Sequence, residues 1–327
     1  MSSDIGLPDF VHSPENALPA GFYRINTGPA RVIEDRPLVT PFRMILPRPA
    51  FRGLRPLAGL CAILLAFLLP QHGAAAQGRV DARYQATLAG IPVGEGSWTV
   101  EVQDDQFSAS ASGGTAGLLK AFSAASGTSA SQGHVVNGAL VPTTYSGTTN
   151  MWKKSEAIHM TLVNGYVKEF SIDPKPPVDP GRLPVTDAQR HGVFDPMTGA
   201  LLHVPGNGEL LSPDACHNQA AFFDGRMRYE LRLDYKRMTT VKTRAGYQGP
   251  AVVCGVTFVP ISGYIPDRPV IKYLAAQRNM EATFVPLAGT RILVPYRMVV
   301  PTPLGSAMLE ATQFVTQAVP PRVAKTQ

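Results

Sequence analysis

The chain has 327 residues, of which 44% are hydrophobic and 17% charged, and it carries a net charge of +6. That is enough apolar material for a sizeable core, and it excludes a disordered, highly charged polymer. The positive excess is spread thinly, with Lys153-Lys154 beside Trp152 as a compact pair, so nucleic acid is not an expected partner.

Residues 1–43 contain Pro8, Pro14, Pro19, Pro29, Pro37 and Pro41 and show no helical or alternating apolar period. They are expected to be disordered or untranslated, with Met44 as the true start. From Met44 the pattern is that of a secretory signal. Arg48, Arg52 and Arg55 precede an uncharged apolar run from Leu57 to Leu69, and Gly73-Ala74-Ala75-Ala76 supplies small residues before Gln77. The run ends at Pro70, Gln71 and His72 and is shorter than the ~20 residues of a spanning helix. Residues 44–76 are therefore expected to be removed after Ala76, with the export machinery and signal peptidase as transient partners. Cys61, near the start of that run and behind Leu60, does not fit a lipid-modified cysteine and would leave with the signal.

The exported part, from Gln77 onward, keeps 23 basic and 19 acidic residues. Period-two alternation dominates it. Trp98, Val100 and Val102 alternate with Ser97, Thr99 and Glu101, which predicts a half-buried strand, and 83–88 and 106–111 have the same character. A helical turn is expected at 116–122, with a small-residue strand or loop over 123–133. Further strands are expected over 141–149, 157–163 and 166–172, the last two joined by the turn signal Asn164-Gly165. The proline-rich run from Asp173 to Gly181 cannot join a central sheet and predicts a surface excursion. A short helix is expected near 198–203, after Asp195-Pro196. Then Tyr229, Leu231, Leu233 and Tyr235 alternate with charged residues, as Ile292, Val294, Tyr296, Met298 and Val300 alternate near the end. The expected fold is mainly β: a twisted antiparallel sheet forming an open barrel or sandwich with one or two short helices. It would occupy 77–317, with sub-lobes joined near 173–215, and 318–327 would be a flexible tail.

With Cys61 gone, Cys216 and Cys254 remain, and an oxidising compartment favours their pairing. A metal site would need more ligands, since the adjacent His217 points to the opposite face of an extended chain. No nucleophile elbow, phosphate loop, paired zinc-binding histidines, calcium loop or C-x-x-C motif is present, so no catalytic, cofactor or metal residue is nominated. His191, Asp195 and His203 lie near enough in sequence to converge, and they are the one place where an enzyme site would be sought.

Cys216, the segment Phe223-Asp224-Gly225-Arg226-Met227-Arg228-Tyr229, the segment from Tyr247 to Cys254, and Gly263-Tyr264 together resemble the bacterial envelope family called domain of unknown function 3108. Gly90-Ile91-Pro92-Val93-Gly94 and Asp195-Pro196 are similar to its pattern as well, and the resemblance spans 80–310. It implies an exported β-rich fold with a cysteine pair, and in Gram-negative cells a periplasmic address, but no reaction.

Asp224-Gly225 predicts a tight hairpin turn, with positive φ at Gly225 and Asp224 capping it. The leading functional expectation is a non-enzymatic module whose curved sheet holds a lipid or other hydrophobic molecule, with Trp98, Tyr229, Leu231, Tyr235, Tyr296 and Met298 as candidate lining. The alternative is an assembly factor that contacts envelope proteins through sheet edges or the proline-rich segment. An enzyme near His191 and Asp195 ranks third.

Overall fold

The computed structural model describes residues 77–320 apart from 118, 119, 121–123 and 153. The signal segment and the residues before it lie outside the described residues, as does most of the helical turn expected at 116–122.

Seven strands open the domain as a meander: β1 (Gly78–Leu88), β2 (Ile91–Val102), β3 (Gln106–Thr115), β4 (Ala125–Val136), β5 (Ala139–Met151), β6 (Lys154–Val163) and β7 (Tyr166–Asp173). Each pairs antiparallel with the next. Three of the joints are two-residue turns with both residues at positive φ: Ala89-Gly90, Asn137-Gly138 and Asn164-Gly165. That geometry matches the right-handed twist of the flanking strands. The small-residue run after 123 forms a full strand, β4, because its side chains leave space for the sheet to curl.

A long connection follows. It carries a turn at Ala188–Arg190, a helix at Pro196–Gly199, the short strand β8 (Leu202–His203) and a turn at Pro213–Cys216. The expected helix thus begins and ends earlier than 198–203. The remaining strands are β9 (Asn218–Phe223), β10 (Arg228–Lys242), β11 (Ala245–Gly246), β12 (Gln248–Ser262), β13 (Met280–Pro286), β14 (Ile292–Thr302) and β15 (Gly305–Ala318), with a helix at Pro269–Ala276 before β13.

All join one sheet, in the order β7-β6-β5-β4-β3-β2-β1-β15-β14-β13-β12-β10-β9. The first and last strands pair with each other at its middle, so β7 and β9 are the two edges. The sheet curls until these edges meet. Val193 donates its N–H to Gly165 O at 3.0 Å, Phe194 donates to Ala221 O at 2.8 Å, and Phe223 donates to Phe194 O at 2.9 Å. Phe170 of β7 and Phe223 of β9 pack edge-to-face at 5.2 Å across the seam. The result is an open barrel whose seam is stitched by residues 193–194 rather than by direct strand pairing.

Residues 251–255 of β12, 282–285 of β13 and 292–296 of β14 are buried on both faces, which is why these stretches are rich in apolar residues. Ala251, Val285, Ile292 and Val294 enter one apolar cluster with Val80, Val100 and Phe314. Their neighbours Val252, Cys254, Phe284 and Leu293 enter a second, with Leu202, Val204 and Cys216 from the connection. Cys216 and Cys254 are bonded, with S–S 2.01 Å and Cα–Cα 5.5 Å, which ties the end of the connection to β12.

Residues 224–227 turn the chain from β9 into β10. Gly225 has φ +92°, and Asp224 Oδ1 accepts from the N–H groups of Arg226 at 2.8 Å and Met227 at 2.7 Å. A Cβ placed on Gly225 would sit 2.9 Å from Ile158 Cγ2. Gly225→Val should therefore lower stability by about 2 kcal/mol, from backbone strain and overpacking together. Unchanged thermal melting of that variant would contradict this account of the turn.

Candidate functional site

The connection between β7 and β9 passes through the curl of the sheet, and its position there depends on one buried acid. Asp195 is fully buried, as are Ser131 and Thr198 to within 1%. Its Oδ1 accepts from Met197 N at 2.9 Å and Thr198 N at 3.0 Å, so it caps the Pro196–Gly199 helix. Its Oδ2 accepts from Ser131 Oγ of β4 at 3.0 Å, and the Ser131 and Thr198 hydroxyls lie 2.9 Å apart. Proline suits the first helical position, where a missing N–H costs nothing. The other end of this turn is held by shape. A Cβ on Gly199 would run into the ring of Phe222, which is itself stacked on Tyr229 at 5.1 Å.

Burial pushes the Asp195 carboxyl above the usual carboxylate range, because its hydrogen bonds only partly offset the lost hydration. The folded state then binds this proton more readily than the unfolded chain does. The protonated form stabilises the fold fully below the ordinary carboxylate value, and that contribution is lost as pH rises through the raised one. Relative to Asp195→Asn, which keeps shape and acceptor, the wild type should gain stability as pH falls through this window. Parallel pH profiles of the denaturation midpoint would show the two proteins diverging; coincident profiles would refute the claim.

Two apolar cavities meet at this helix. The first, about 560 Å³, is walled by Tyr84, Trp98, Ala111, Met197 and Leu309 and floored by Gly94, Gly96, Gly113 and Gly127. The second, about 510 Å³, is walled by Phe194, Leu202, Phe222, Tyr229, Leu231 and Phe284. Pro196, Ala200, Pro295 and Met298 line both. Volumes of this size suit small ligands and are lined as ligand pockets usually are. A larger trough of about 1060 Å³ mixes polar and apolar lining, with Arg83, Glu95, Ser112 and Thr128 beside Tyr84, Ala125 and Trp152.

The structure distributes the six candidate lining residues unevenly. Trp98 stands in the first cavity, Tyr229 and Leu231 in the second, and Met298 in both. Tyr296 does not line either. The register of β13 with β14 slips between Thr283↔Arg297 and Phe284↔Pro295, leaving Tyr296 as the extra residue of a bulge. It turns into the core, 3% exposed, 6.3 Å from Phe314, and Pro295 takes the cavity position instead. Tyr235 also falls outside. It pairs with Cys254 beside another bulge, where Arg237 pairs with Val253, and it remains 36% exposed.

His191, Asp195 and His203 are not brought together. His191 is stacked on Tyr166 at 4.1 Å at the surface, with Asp187 Oδ2 3.5 Å away, whereas Asp195 is sealed under the sheet. His203 sits beside Gly138, and burial lowers its pKa. Among the described residues no group of three His, Cys, Asp or Glu side chains could hold a metal ion. No helix among them is long and apolar enough to cross a membrane.

Sequence reasoning missed Ser131, Thr198, Met197, Ala200 and Pro295. The contacts between Ser131 and the helix span 64 and 67 positions, so no local spacing announces them. Asp195-Pro196 before a turn was the available signal for the cap.

An open antiparallel barrel with an apolar interior and a stapled internal segment defines a class of all-β domain. Residues 83–312 match the model of the family described as protein of unknown function (DUF3108), and the chain belongs to that family. No curated protein matches it. Among solved structures it is similar to the crystal structure of a beta-barrel-like protein of domain of unknown function DUF1849 from Brucella abortus, at 8% identity and TM-score 0.40, over 74% of this chain and 98% of that one.

Proposed function

We propose that this protein is an exported, periplasmic, non-enzymatic carrier or sensor that binds a lipid or other hydrophobic small molecule inside the curled sheet. The observation that carries this reading is the pair of apolar cavities that share Pro196, Ala200, Pro295 and Met298 as lining. Both spaces are open to solvent, so a hydrophobic molecule can enter and exchange water on their apolar walls for dispersion contacts. The disulfide and the signal pattern support the exported address.

Native mass spectrometry after gentle purification tests the proposal. A mass increment that is released on denaturation, or uptake of an added apolar probe, is expected. Ala111→Phe, which fills the first cavity from β3, should reduce uptake at least fivefold while the melting temperature stays within a few degrees. Full uptake by a folded Ala111→Phe variant would show that the probe binds elsewhere.

One observation favours a second reading, that of an assembly factor. Residues 168–173 of β7 make no backbone hydrogen bond on their outer edge among the described residues, so a strand from an envelope protein could pair there by opening the seam at which Phe170 packs on Phe223. The neighbouring proline-rich segment is held at one end, where Leu183 N–H donates to Tyr264 O at 2.9 Å. Removing 174–181 while keeping Leu183 should abolish capture of such a partner without unfolding the domain.

A further inference from the structure

The tips of four β-hairpins share one end of the barrel and are chained together there. They are the turn Ala89-Gly90 between β1 and β2, the link 116–124 between β3 and β4, the turn Trp152-Lys153 between β5 and β6, and the turn Pro303-Leu304 between β14 and β15. Ala89 donates its N–H to Ser306 O at 2.9 Å, Ala116 donates to Val93 O at 3.0 Å, and Trp152 donates to Ala124 O at 3.3 Å. Neighbouring tips thus form one continuous arc along the rim.

This arc displays large apolar side chains that the core does not use. Ile91 is 62% exposed, Met151 55%, Trp152 78% and Leu304 74%. Trp152 has φ +50°, in the left-handed region that Asn137 and Asn164 occupy in the two-residue turns at the opposite end. A bulky residue is strained there, so turn geometry alone does not account for a tryptophan. The charge is one-sided as well. Residues 89–93, 116–124, 151–154 and 302–306 contain no Asp or Glu, while Lys120 and Lys154 stand exposed among them. The closest acids along these strands are Glu95 and Glu156, and Glu156 is engaged by Arg226. At the opposite end the meander turns hold Asp104-Asp105, Asn137-Gly138 and Asn164-Gly165, with Val136 and Val163 as the exposed large apolar residues beside them. The remainder of the first end carries Asp179 and the pair Lys272–Asp267, so the arc is the part that is free of acid.

An apolar, basic arc without acids suits an anionic lipid surface. Tryptophan favours the boundary between water and hydrocarbon, exposed apolar side chains gain by leaving water, and a lysine near an anionic surface adds attraction. Separate tips offer neither a groove for a helix nor a strand edge for pairing, but a flat surface meets them together. We propose that the barrel docks on anionic lipid bilayers through this arc, with Ile91, Trp152 and Leu304 entering the interface and Lys120 and Lys154 facing the head groups. Docking there does not require either cavity to be filled.

The test is co-sedimentation of the protein purified from its host with vesicles of phosphatidylcholine, alone or in equal parts with phosphatidylglycerol. Binding to the mixed vesicles is expected to be about thirtyfold tighter, about fivefold for each lysine. Lys120→Gln combined with Lys154→Gln should remove most of that preference. Tryptophan emission should move to shorter wavelength on binding, and this shift should be lost in Trp152→Asn. That variant suits the turn better and should melt no lower than the wild type, yet bind the mixed vesicles about tenfold more weakly. Val136→Ser combined with Val163→Ser, at the opposite end, should leave binding unchanged. Absence of vesicle binding, equal binding to the two vesicle types, or binding that Trp152→Asn leaves intact would each overturn the proposal. Self-association that Trp152→Asn abolishes, without vesicle binding, would overturn it in favour of a second copy of the chain as the occupant of the arc.

Discussion

Replacing Cys216 and Cys254 together by alanine is expected to lower stability by about 4 kcal/mol on the chain-entropy account of a cross-link spanning 38 positions. The loss should be large because both cysteines are fully buried in the second apolar cluster, where the bond anchors Leu202, Val204 and Ala215 of the connection onto β12 and β13. A lowered urea midpoint measures it, with a slope that rises because the uncrosslinked denatured chain exposes more surface. Reductant should reproduce the shift in the wild type and do nothing to the double variant. A loss below about 1 kcal/mol would mean that the connection is held by packing alone. Because Leu202 also walls the second cavity, the variant should lose ligand uptake before it loses the fold.

Asp195→Ala is the second large effect, at about 3 kcal/mol. It removes a helix cap, worth roughly 1–2 kcal/mol, and leaves the two backbone N–H groups of Met197 and Thr198 short of an acceptor in a dry interior. Asp195→Asn should cost far less, because its amide oxygen still accepts from Met197 and Thr198. The contrast between the two variants separates the cap from the charge. Equal losses would place the stabilisation in the ion itself, which its raised pKa argues against.

Much of this fold is legible in the chain. The alternation of Trp98, Val100 and Val102 predicts β2, and Asn164-Gly165 marks a turn with both residues at positive φ. The Cys216–Cys254 bond is the pairing expected for an oxidising compartment. The bulges are not legible, because a single extra residue flips every later side chain while leaving composition untouched. Tyr296 shows the consequence: it continues the period of Ile292 and Val294 faithfully, yet the bulge gives the cavity to Pro295 and Met298 instead. The cavities themselves are hard to read for a different reason. They are made by small side chains at Ala86, Gly94, Gly96, Ala111, Gly113 and Gly127, spread over four strands whose lateral register only the folded sheet defines. The seam is similar, since Phe194 reaches Ala221 and Phe223 through contacts that no short-range motif encodes.

The central claim is that the interior of the curled sheet holds a hydrophobic molecule. A crystal structure of the protein purified gently from its own host, paired with a native mass spectrum of the same sample, tests it most directly. The account predicts continuous non-protein density passing Trp98, Met197 and Met298, and a matching mass increment lost on denaturation. An interior filled by rearranged side chains, with no bound mass and no uptake of an added apolar probe, would contradict it.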